Sequence, residues 1–276
     1  MARPRWSAAF AVPFLAVTGL PAQETPASPE SPFVTAHKGN FPVILSAPHG
    51  GTEDVPGVPP RRGVGIPPGT NGFFPFRDVG TEELADAIAA AVEAKTGRVP
   101  FFVSAKFHRK YLDVNRPPEF AYEHAEAKPV YDCYRGTLAA YCKEVRKKYG
   151  RGLLLDVHAQ GMMPGTVMRG TADGKTVALL RQRFGEKAHT GPDSFFGLLG
   201  KGGLAVFPAR LDAAEDPMFN GGHIVRTYGG GDFGIDAIQL EFGWTLATPK
   251  AVPGTAKKVA AAVDRFHQLY LADPKK

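Results

Sequence analysis

The stretch at residues 150–161, GRGLLLDVHAQG, constrains the fold of this 276-residue chain more than any other. Residues 153–155 are three consecutive leucines with glycines on either side, which is typical of a strand buried on both faces of a sheet. A buried helix segment would show the same short apolar run. Two polar residues, Asp156 and His158, follow where such a strand would end.

Asp156 and His158 are separated by one residue, so their side chains would lie on the same face of a strand. In open α/β sheets, ligands are held at the carboxyl ends of the strands. Asp156 could therefore orient His158 at a functional edge of the sheet. An isolated Asp-x-His can equally be a core histidine with a hydrogen-bond partner, so the rest of the chain must decide between the two interpretations.

Predicted strands and helices alternate along the chain. The predicted strands cover residues 41–47, 101–105, 111–114, 153–157 and 236–242, and the predicted helices cover residues 81–95, 129–149, 175–184 and 255–271. This alternation indicates an α/β fold with a layered sheet. No internal repeat and no change in composition divides the chain, so we predict one domain. Two long glycine- and proline-rich segments, 50–72 and 191–222, are predicted loops.

The first residues have the layout of a secretory signal peptide. Arg3 and Arg5 form a basic start, and residues 8–20 are mostly apolar but too short and interrupted to span a bilayer comfortably. We therefore predict a signal peptide over residues 1–22, a flexible linker over 23–36 and a single domain over 37–276. The mature protein would be secreted or periplasmic, with no stable membrane anchor.

The composition limits the classes of protein to which the chain can belong. An apolar content of 43% and a charged content of 22% are those of an ordinary globular protein. Loss of the two arginines in the signal peptide lowers the formal net charge from +6 to +4, and the basic residues are spread along the chain, so nucleic-acid binding is not predicted.

Cys133 and Cys142 lie nine residues apart on a predicted helix, about 13 Å along its axis. That exceeds the reach of a disulfide, so two free thiols are expected.

Several polar residues fall at the ends of the predicted strands. They are His49, Arg109, Asp113, Asn115, Arg116, Asp156, His158 and Glu241. Each one alone has a structural explanation, such as a turn, a cap or a surface ion pair. Their common placement is harder to explain in that way, because a buried charge costs several kcal/mol unless it is paired or binds a metal.

These residue types suit metal-assisted hydrolysis. Two histidines and a carboxylate make a three-ligand zinc site that leaves a position open for water. A further carboxylate can take the proton from that water, and an arginine can bind a substrate carboxylate in its two-pronged guanidinium. The chain has no His-Glu-x-x-His helix, no Gly-x-Ser-x-Gly elbow and no Walker lysine.

Five segments in this order resemble the motifs of the N-formylglutamate amidohydrolase family: SAPHGG, DVGTEELA, HRKYLDVNRP, LLLDVHAQG and AIQLEFG. More distantly, they resemble the zinc carboxypeptidases. The resemblance covers about residues 41–245. It implies a three-layer αβα fold with a central mixed sheet, of the zinc-dependent exopeptidase-like (phosphorylase/hydrolase-like) kind. The implied cofactor is Zn²⁺.

The resemblance also implies a metal site. His49 and His158 would be zinc ligands, and Asp156 would orient a ligand histidine. The third ligand is open, because the carboxypeptidases place a glutamate three residues after the first histidine and this chain has a threonine there. Asp78, at a predicted helix start, and Glu53 are the two candidates, and we favour Asp78.

The remaining implied roles concern the substrate. Glu241 would be the general base, Asn115 and Arg116 would bind a substrate carboxylate, and Arg109 would polarise the scissile carbonyl or assist in that binding. His223 and Arg226 are further candidates for the pocket, whereas His108 is as well explained as a surface residue.

We therefore expect a secreted zinc-dependent amidohydrolase that cleaves an amide bond next to a free carboxylate, as in an N-acyl amino acid. Its partner would be a small-molecule or peptide substrate with that carboxylate. One alternative is a carboxypeptidase that acts on peptide ends or cell-wall stem peptides. An alternative of another class is a non-catalytic binding protein that retains the pocket.

Overall fold

A computed structural model describes residues 30–69 and 72–272. Its one seven-stranded sheet consists of β1 (Val34–His37), β2 (Val43–Ala47), β3 (Phe101–Ala105), β4 (Leu153–Gln160), β5 (Thr166–Gly170), β6 (Ala205–Phe207) and β7 (Asp236–Gly243). The helices are α1 (Thr81–Thr96), α2 (Pro118–Ala121), α3 (Lys128–Tyr149), α4 (Ala178–Phe184), α5 (Lys187–Thr190), α6 (Phe195–Lys201), α7 (His223–Tyr228) and α8 (Val252–Phe266).

The strands lie in the order β1-β3-β2-β4-β7-β5-β6. The four central strands β3, β2, β4 and β7 are parallel to one another, whereas β1 and β5 run antiparallel to their inner neighbours β3 and β7. The sheet is therefore mixed, as expected. Because the central strands are parallel, their carboxyl ends meet at one edge of the sheet, where a ligand site is expected.

Alternating side chains of the central strands supply two hydrophobic cores. On β2, Val43 and Leu45 pack into a core with helices α1, α6 and α8, and Ile44 points to the other face, into a core with α3 and α7. All three side chains are fully buried. Helices thus cover both faces of the sheet, and the α/β fold class predicted from the sequence is confirmed.

Apart from the strand at 111–114, every predicted strand and helix is confirmed, with shifts of a few residues at some ends. The predicted strand at 111–114 is wrong: this segment is a buried turn, in which the Tyr111 N–H donates to the His108 carbonyl and the Arg116 N–H to the Asp113 carbonyl. Its apolar residues are buried without pairing to a strand. Strands β1, β5 and β6 were not predicted, because three to five residues carry little periodic signal.

The ends of the chain differ from the predicted boundaries in one respect. The predicted signal peptide lies outside the described residues. The sheet begins three residues before the predicted domain start, because Val34–His37 pairs with β3 as an antiparallel edge strand. Within residues 30–69 and 72–272, no helix is long and apolar enough to cross a membrane. Both cysteines lie buried in α3 and are not joined by a disulfide.

A buried carboxyl group at the start of β7 predicts an unusual pH dependence of stability. Burial raises the pKa of Asp236 to about 6, and the hydrogen bond that it accepts from the Leu180 N–H, 3.0 Å long, only partly offsets this. Between about pH 4 and pH 6 this carboxyl group therefore binds more protons in the folded protein than in the unfolded chain, and its contribution to the free energy of unfolding falls as the pH rises. Ionised Asp236 thus destabilises the fold at neutral pH.

We expect Asp236→Asn to raise the free energy of unfolding at pH 7 by at most about 3 kcal/mol, and to change it little at pH 4. Urea unfolding at both pH values measures this difference. Asp212→Asn, at an exposed carboxylate, is the control and should show no such pH-dependent gain. An identical pH dependence in the wild type and Asp236→Asn would contradict the assignment.

Candidate metal centre and cleft

The polar residues at the carboxyl edge of the sheet come from four different parts of the chain. His49 lies two residues beyond β2, Asp78 lies just before α1, and His158 lies on β4. Glu241 lies on β7 at the position that pairs with His158 in the parallel ladder. Together they line an open cleft of about 650 Å³.

Close approach of the backbone lets His49 reach this edge. A Cβ atom at Gly50 would lie 2.4 Å from the Glu82 backbone nitrogen, closer than atoms can approach, so only glycine fits between this turn and α1. The Asp78 N–H donates to the His49 carbonyl, which ties the two segments together. Gly80, with φ of 84°, then allows the chain to turn into α1.

Three potential ligand atoms converge in the cleft. The His49 and His158 Nδ1 atoms are 3.2 Å apart, and the Asp78 Oδ2 atom lies 3.4 Å from the first and 3.1 Å from the second. All three side chains are buried. In a tetrahedral zinc site with bonds of about 2.0–2.1 Å, neighbouring ligand atoms are about 3.3 Å apart. The distances between the three potential ligand atoms therefore match those between ligand atoms of such a zinc site.

The outer nitrogen of each histidine contacts a buried carboxylate. The His49 Nε2 atom lies 2.7 Å from Asp113 Oδ1, and the His158 Nε2 atom lies 2.9 Å from Asp156 Oδ2. An ionised carboxylate only accepts hydrogen bonds, so each Nε2 carries the hydrogen and each Nδ1 presents a lone pair to the cleft. This is the arrangement in which histidine ligands of metals are held. With both imidazoles neutral, two lone pairs and a carboxylate oxygen face one another, and the three atoms could hold a metal ion.

Electrostatics favour the ionised form of Asp78. Burial alone would raise its pKa, but His49 and His158 outweigh that effect and the pKa lies well below its usual range. Asp113 behaves in the same way: burial is outweighed chiefly by Arg109, and its pKa also lies well below the usual range. Both carboxylates are therefore charged at neutral pH.

His158 and Glu241 are shifted towards their protonated forms when no metal is bound. Burial lowers the pKa of His158, but the charge and hydrogen bond of Asp156 raise it well above its usual value. Burial raises the pKa of Glu241 to about 8. A metal ion would take the place of the excess proton on the Nδ1 atom of His158.

Glu241 is held by its neighbour on β7. The Gln239 side-chain amide donates to Glu241 Oε1 over 2.7 Å, and the Gln239 carbonyl oxygen accepts from the Gly222 N–H over 2.6 Å. The second contact fixes which end of the Gln239 amide faces Glu241. Gln239 thus connects the candidate general base to the loop at 218–222 that lines the cleft.

Arg109 lies beneath the cluster as a buried cation. Its guanidinium contacts Asp113 Oδ2 at 2.5 Å and Asp78 Oδ1 at 3.4 Å, and it lies over the ring of Phe74. These contacts hold the carboxylate that orients His49 and the carboxylate that faces both histidines. The predicted contact of Arg109 with the scissile carbonyl stays a prediction.

Asn115 and Arg116 both line the cleft. The Asn115 Oδ1 atom accepts from the Ile224 N–H at 2.7 Å, and its Nδ2 atom lies 3.3 Å from His158 Nε2. Asn115 therefore connects α7 to the metal centre. Arg116 is half-buried, and its guanidinium donates to the carbonyls of Gly72 and Asn115.

The other candidates lie elsewhere. Glu53 is half-buried and forms an ion pair with Lys106, so of the two carboxylates considered, Asp78 is the one that lies with the histidines. Among the described residues that line the cleft, neither His223 nor Arg226 is present. His108 is half-buried and accepts a hydrogen bond from the Lys110 N–H.

The sequence did not assign a role to Asp113. Its place in the Asp-x-Asn-Arg segment was the available signal, but its partner His49 is 64 residues away. Gln239 was missed because a glutamine within an apolar strand gives no indication of what it contacts. The loop at 218–222 was missed because its closeness to the cleft follows from tertiary packing alone.

The fold is similar to that of a solved amidohydrolase. The crystal structure of an N-formylglutamate amidohydrolase from Ralstonia eutropha matches with a TM-score of 0.53 and 15% identity, over 86% of this chain and 98% of that one. The resemblance inferred from the sequence motifs is thereby confirmed at the level of the fold.

A second solved structure, an N-acetylmuramyl-L-alanine amidase from Mycobacterium smegmatis, matches with a TM-score of 0.37 and 11% identity, over 82% of this chain and 97% of that one. No protein-family model and no curated protein matches the chain.

Proposed function

We propose that this protein is a zinc-dependent amidohydrolase that cleaves an amide bond next to a free carboxylate, as in an N-acyl amino acid such as an N-formylglutamate. The observation that carries the proposal is the triangle of His49 Nδ1, His158 Nδ1 and Asp78 Oδ2, in which each histidine is oriented by a carboxylate of its own. Histidine nitrogens with one carboxylate oxygen are the ligands of catalytic zinc sites.

The proposed chemistry divides among the residues of the cleft. A bound zinc ion would supply Lewis acidity to the carbonyl and to the attacking water. Glu241 accepts a proton from that water as its oxygen bonds to the carbonyl carbon. The C–N bond then breaks and the proton passes to the leaving nitrogen, which yields a carboxylic acid and a free amino acid.

Arg116 is the candidate partner of the substrate carboxylate. It lies in the cleft wall beside Asn115, and its backbone contacts hold the guanidinium in place. A guanidinium matches the planar geometry of a carboxylate and can donate two parallel hydrogen bonds to it.

We also propose that the protein is exported. The support is the basic start and the apolar stretch at residues 8–20, followed by a polar segment. Amino-terminal sequencing of the protein recovered from the culture medium or periplasm would test this. A mature chain that begins near residue 23 is expected, and recovery of the protein only from the cytoplasm with an intact amino terminus would contradict export.

The function is tested by hydrolysis of a series of N-acyl-L-glutamates with the purified protein. We expect release of free glutamate that is lost on treatment with a chelator and restored by zinc. Peptides with free carboxyl ends form a second arm of the assay and test the carboxypeptidase alternative. If neither series is cleaved after zinc is added, the enzyme proposal is wrong and the protein is a binding protein.

Replacement of Arg116 tests the binding of the substrate carboxylate. We expect Arg116→Ala to raise KM for a carboxylate-bearing substrate by roughly 10- to 100-fold, because a charge-assisted hydrogen-bonded pair is lost. The same substrate with its carboxylate converted to a primary amide should be affected little. Arg210→Ala, at an exposed arginine, is the control. Equal losses for the charged and the neutral substrate would contradict this role.

A further inference from the structure

Three large apolar side chains are exposed at the edge of the sheet that carries the metal centre. They are Val79, Met162 and Trp244, with 63%, 56% and 55% of their surface accessible, and we call them the apolar rim. Single exposed apolar residues are common on protein surfaces. A cluster of them beside a binding cleft requires an explanation, because such patches mark sites where ligands bind.

Contacts between three turns bring the rim residues together. The Thr245 N–H donates to the Pro164 carbonyl over 3.1 Å, which ties the turn after β7 to the turn after β4. The Ala247 carbonyl packs against Gly80, where a Cβ atom would lie only 2.2 Å from that oxygen. The short helix at Trp244–Ala247 therefore contacts both the turn that carries Met162 and the turn that carries Val79.

The rim residues are close neighbours of cleft residues in the chain and do not themselves line the cleft. Each rim residue follows a cleft residue within four positions of the chain: Val79 after Asp78, Met162 after His158, and Trp244 after Glu241. The rim residues and the residues of the metal centre therefore lie on the same strand ends and turns.

The two nitrogens of the His158 ring contact the residues that precede Val79 and Arg116 in the chain. The Nδ1 atom of that ring faces Asp78, the residue before Val79, at 3.1 Å. The Nε2 atom faces Asn115, the residue before Arg116, at 3.3 Å. A substrate whose carboxylate contacts Arg116 and whose amide lies at the metal centre would extend its far end towards the rim.

We propose that the apolar rim binds the acyl group of the substrate, so that the preferred substrates are N-acyl amino acids with an apolar acyl chain of several carbons. The inference rests on the proposed function and assigns its substrate class. The cleft carries the Arg116 guanidinium and the apolar rim follows cleft residues in the chain, a combination that matches a molecule with an anionic head and an apolar tail. Formyl and acetyl groups are too short to reach beyond the cleft.

Binding to the Glu241→Gln protein tests the inference without turnover. N-formyl-, N-butanoyl- and N-octanoyl-L-glutamate would be titrated calorimetrically into the zinc-loaded variant. Each methylene group that becomes buried can strengthen binding by up to roughly fourfold. We expect the octanoyl compound to bind at least about tenfold more tightly than the formyl compound, with only part of its chain buried.

Substitutions in the apolar rim show whether the rim is the surface that binds the acyl chain. In the Glu241→Gln background, Trp244→Ala and Met162→Ser should each reduce the ratio of octanoyl to formyl affinity, and together they should bring it close to one. Phe184→Ala is the control, because Phe184 is an exposed apolar residue on α4, a helix that contributes no residue to the cleft or to the rim. It should leave the ratio unchanged.

Other results would overturn the inference in distinguishable ways. If the formyl compound is hydrolysed by the wild type with zinc but affinity is independent of chain length, the inference fails and the proposed function stands. If none of the acyl-glutamates is bound or hydrolysed, both fail. If the rim substitutions weaken binding to phosphatidylcholine vesicles and leave the octanoyl-to-formyl ratio unchanged, the rim is a membrane contact and the inference is wrong.

Discussion

The His158→Ala protein should bind zinc more than roughly 100-fold more weakly than the wild type, because loss of a group that merely orients a ligand already costs about 10- to 100-fold. His158 supplies one corner of the triangle, and besides His49 no other imidazole of the described residues belongs to the cluster. Competition with a chelating dye measures the change in affinity. Hydrolysis should be lost in parallel.

His158→Ala should also destabilise the metal-free protein. Asp156 is fully buried, and its Oδ2 atom contacts His158 Nε2. Without the imidazole, a buried carboxylate loses its partner, which costs roughly 3–5 kcal/mol. His158→Gln keeps a donor near Asp156 and should recover part of this stability without recovering the zinc affinity. The loss of stability and the loss of zinc affinity can therefore be measured separately.

A matched control is His37→Ala, at an exposed histidine on the edge strand β1. It should bind zinc as tightly as the wild type. Retention of zinc affinity within tenfold in the His158→Ala protein would show that the triangle is not the metal site, whatever happens to stability.

The Glu241→Gln protein should retain zinc and lose turnover. Removal of a general base typically lowers kcat by roughly 10²- to 10⁴-fold. The substitution is conservative, because the carbonyl oxygen of a glutamine at this position can still accept the hydrogen bond from Gln239. We therefore expect an unchanged fold, an unchanged zinc content and a KM close to that of the wild type. Steady-state kinetics with metal analysis of the same sample tests all three.

Glu53→Gln is the control for this variant, since Glu53 is the other acid considered for the metal site and instead pairs with Lys106 at the surface. It should show normal zinc content and normal turnover. A Glu241→Gln protein with nearly normal kcat would overturn the general-base assignment. A Glu53→Gln protein without zinc would overturn the choice of Asp78.

The central part of the fold was predictable because its signals are local and strong. The leucine run of β4 and the apolar run of β7 are long enough to identify buried strands, and α1 and α3 show clear helical patterns with glycines at their ends. Parallel strands then place their carboxyl ends together. The meeting of His49, His158 and Glu241 follows from that geometry.

The segment at residues 107–116 was not predictable in the same way. Its apolar residues suggested a strand, but burial alone does not specify pairing, and the segment folds as turns. What holds it is a set of contacts with distant residues, among them the contact of Asp113 with His49 and the bond from Ile224 to Asn115. A sequence pattern shows which residues are polar but does not show their partners.

The roles of Arg109 and Asn115 illustrate the same limit. From the sequence, both were expected to contact the substrate. The structure places Arg109 between Asp78 and Asp113, and connects Asn115 to the start of α7. Both side chains are buried. Their contacts support a role in holding the metal centre together.

The most direct test of the account is a crystal structure of the zinc-loaded protein with anomalous diffraction data collected on both sides of the zinc absorption edge. We predict a single strong zinc peak bonded to His49 Nδ1, His158 Nδ1 and an oxygen of Asp78, with Glu241 nearby and not bonded to the metal. A zinc peak at Glu53, at a cysteine or at scattered surface residues, with none between the two histidines, would contradict the account.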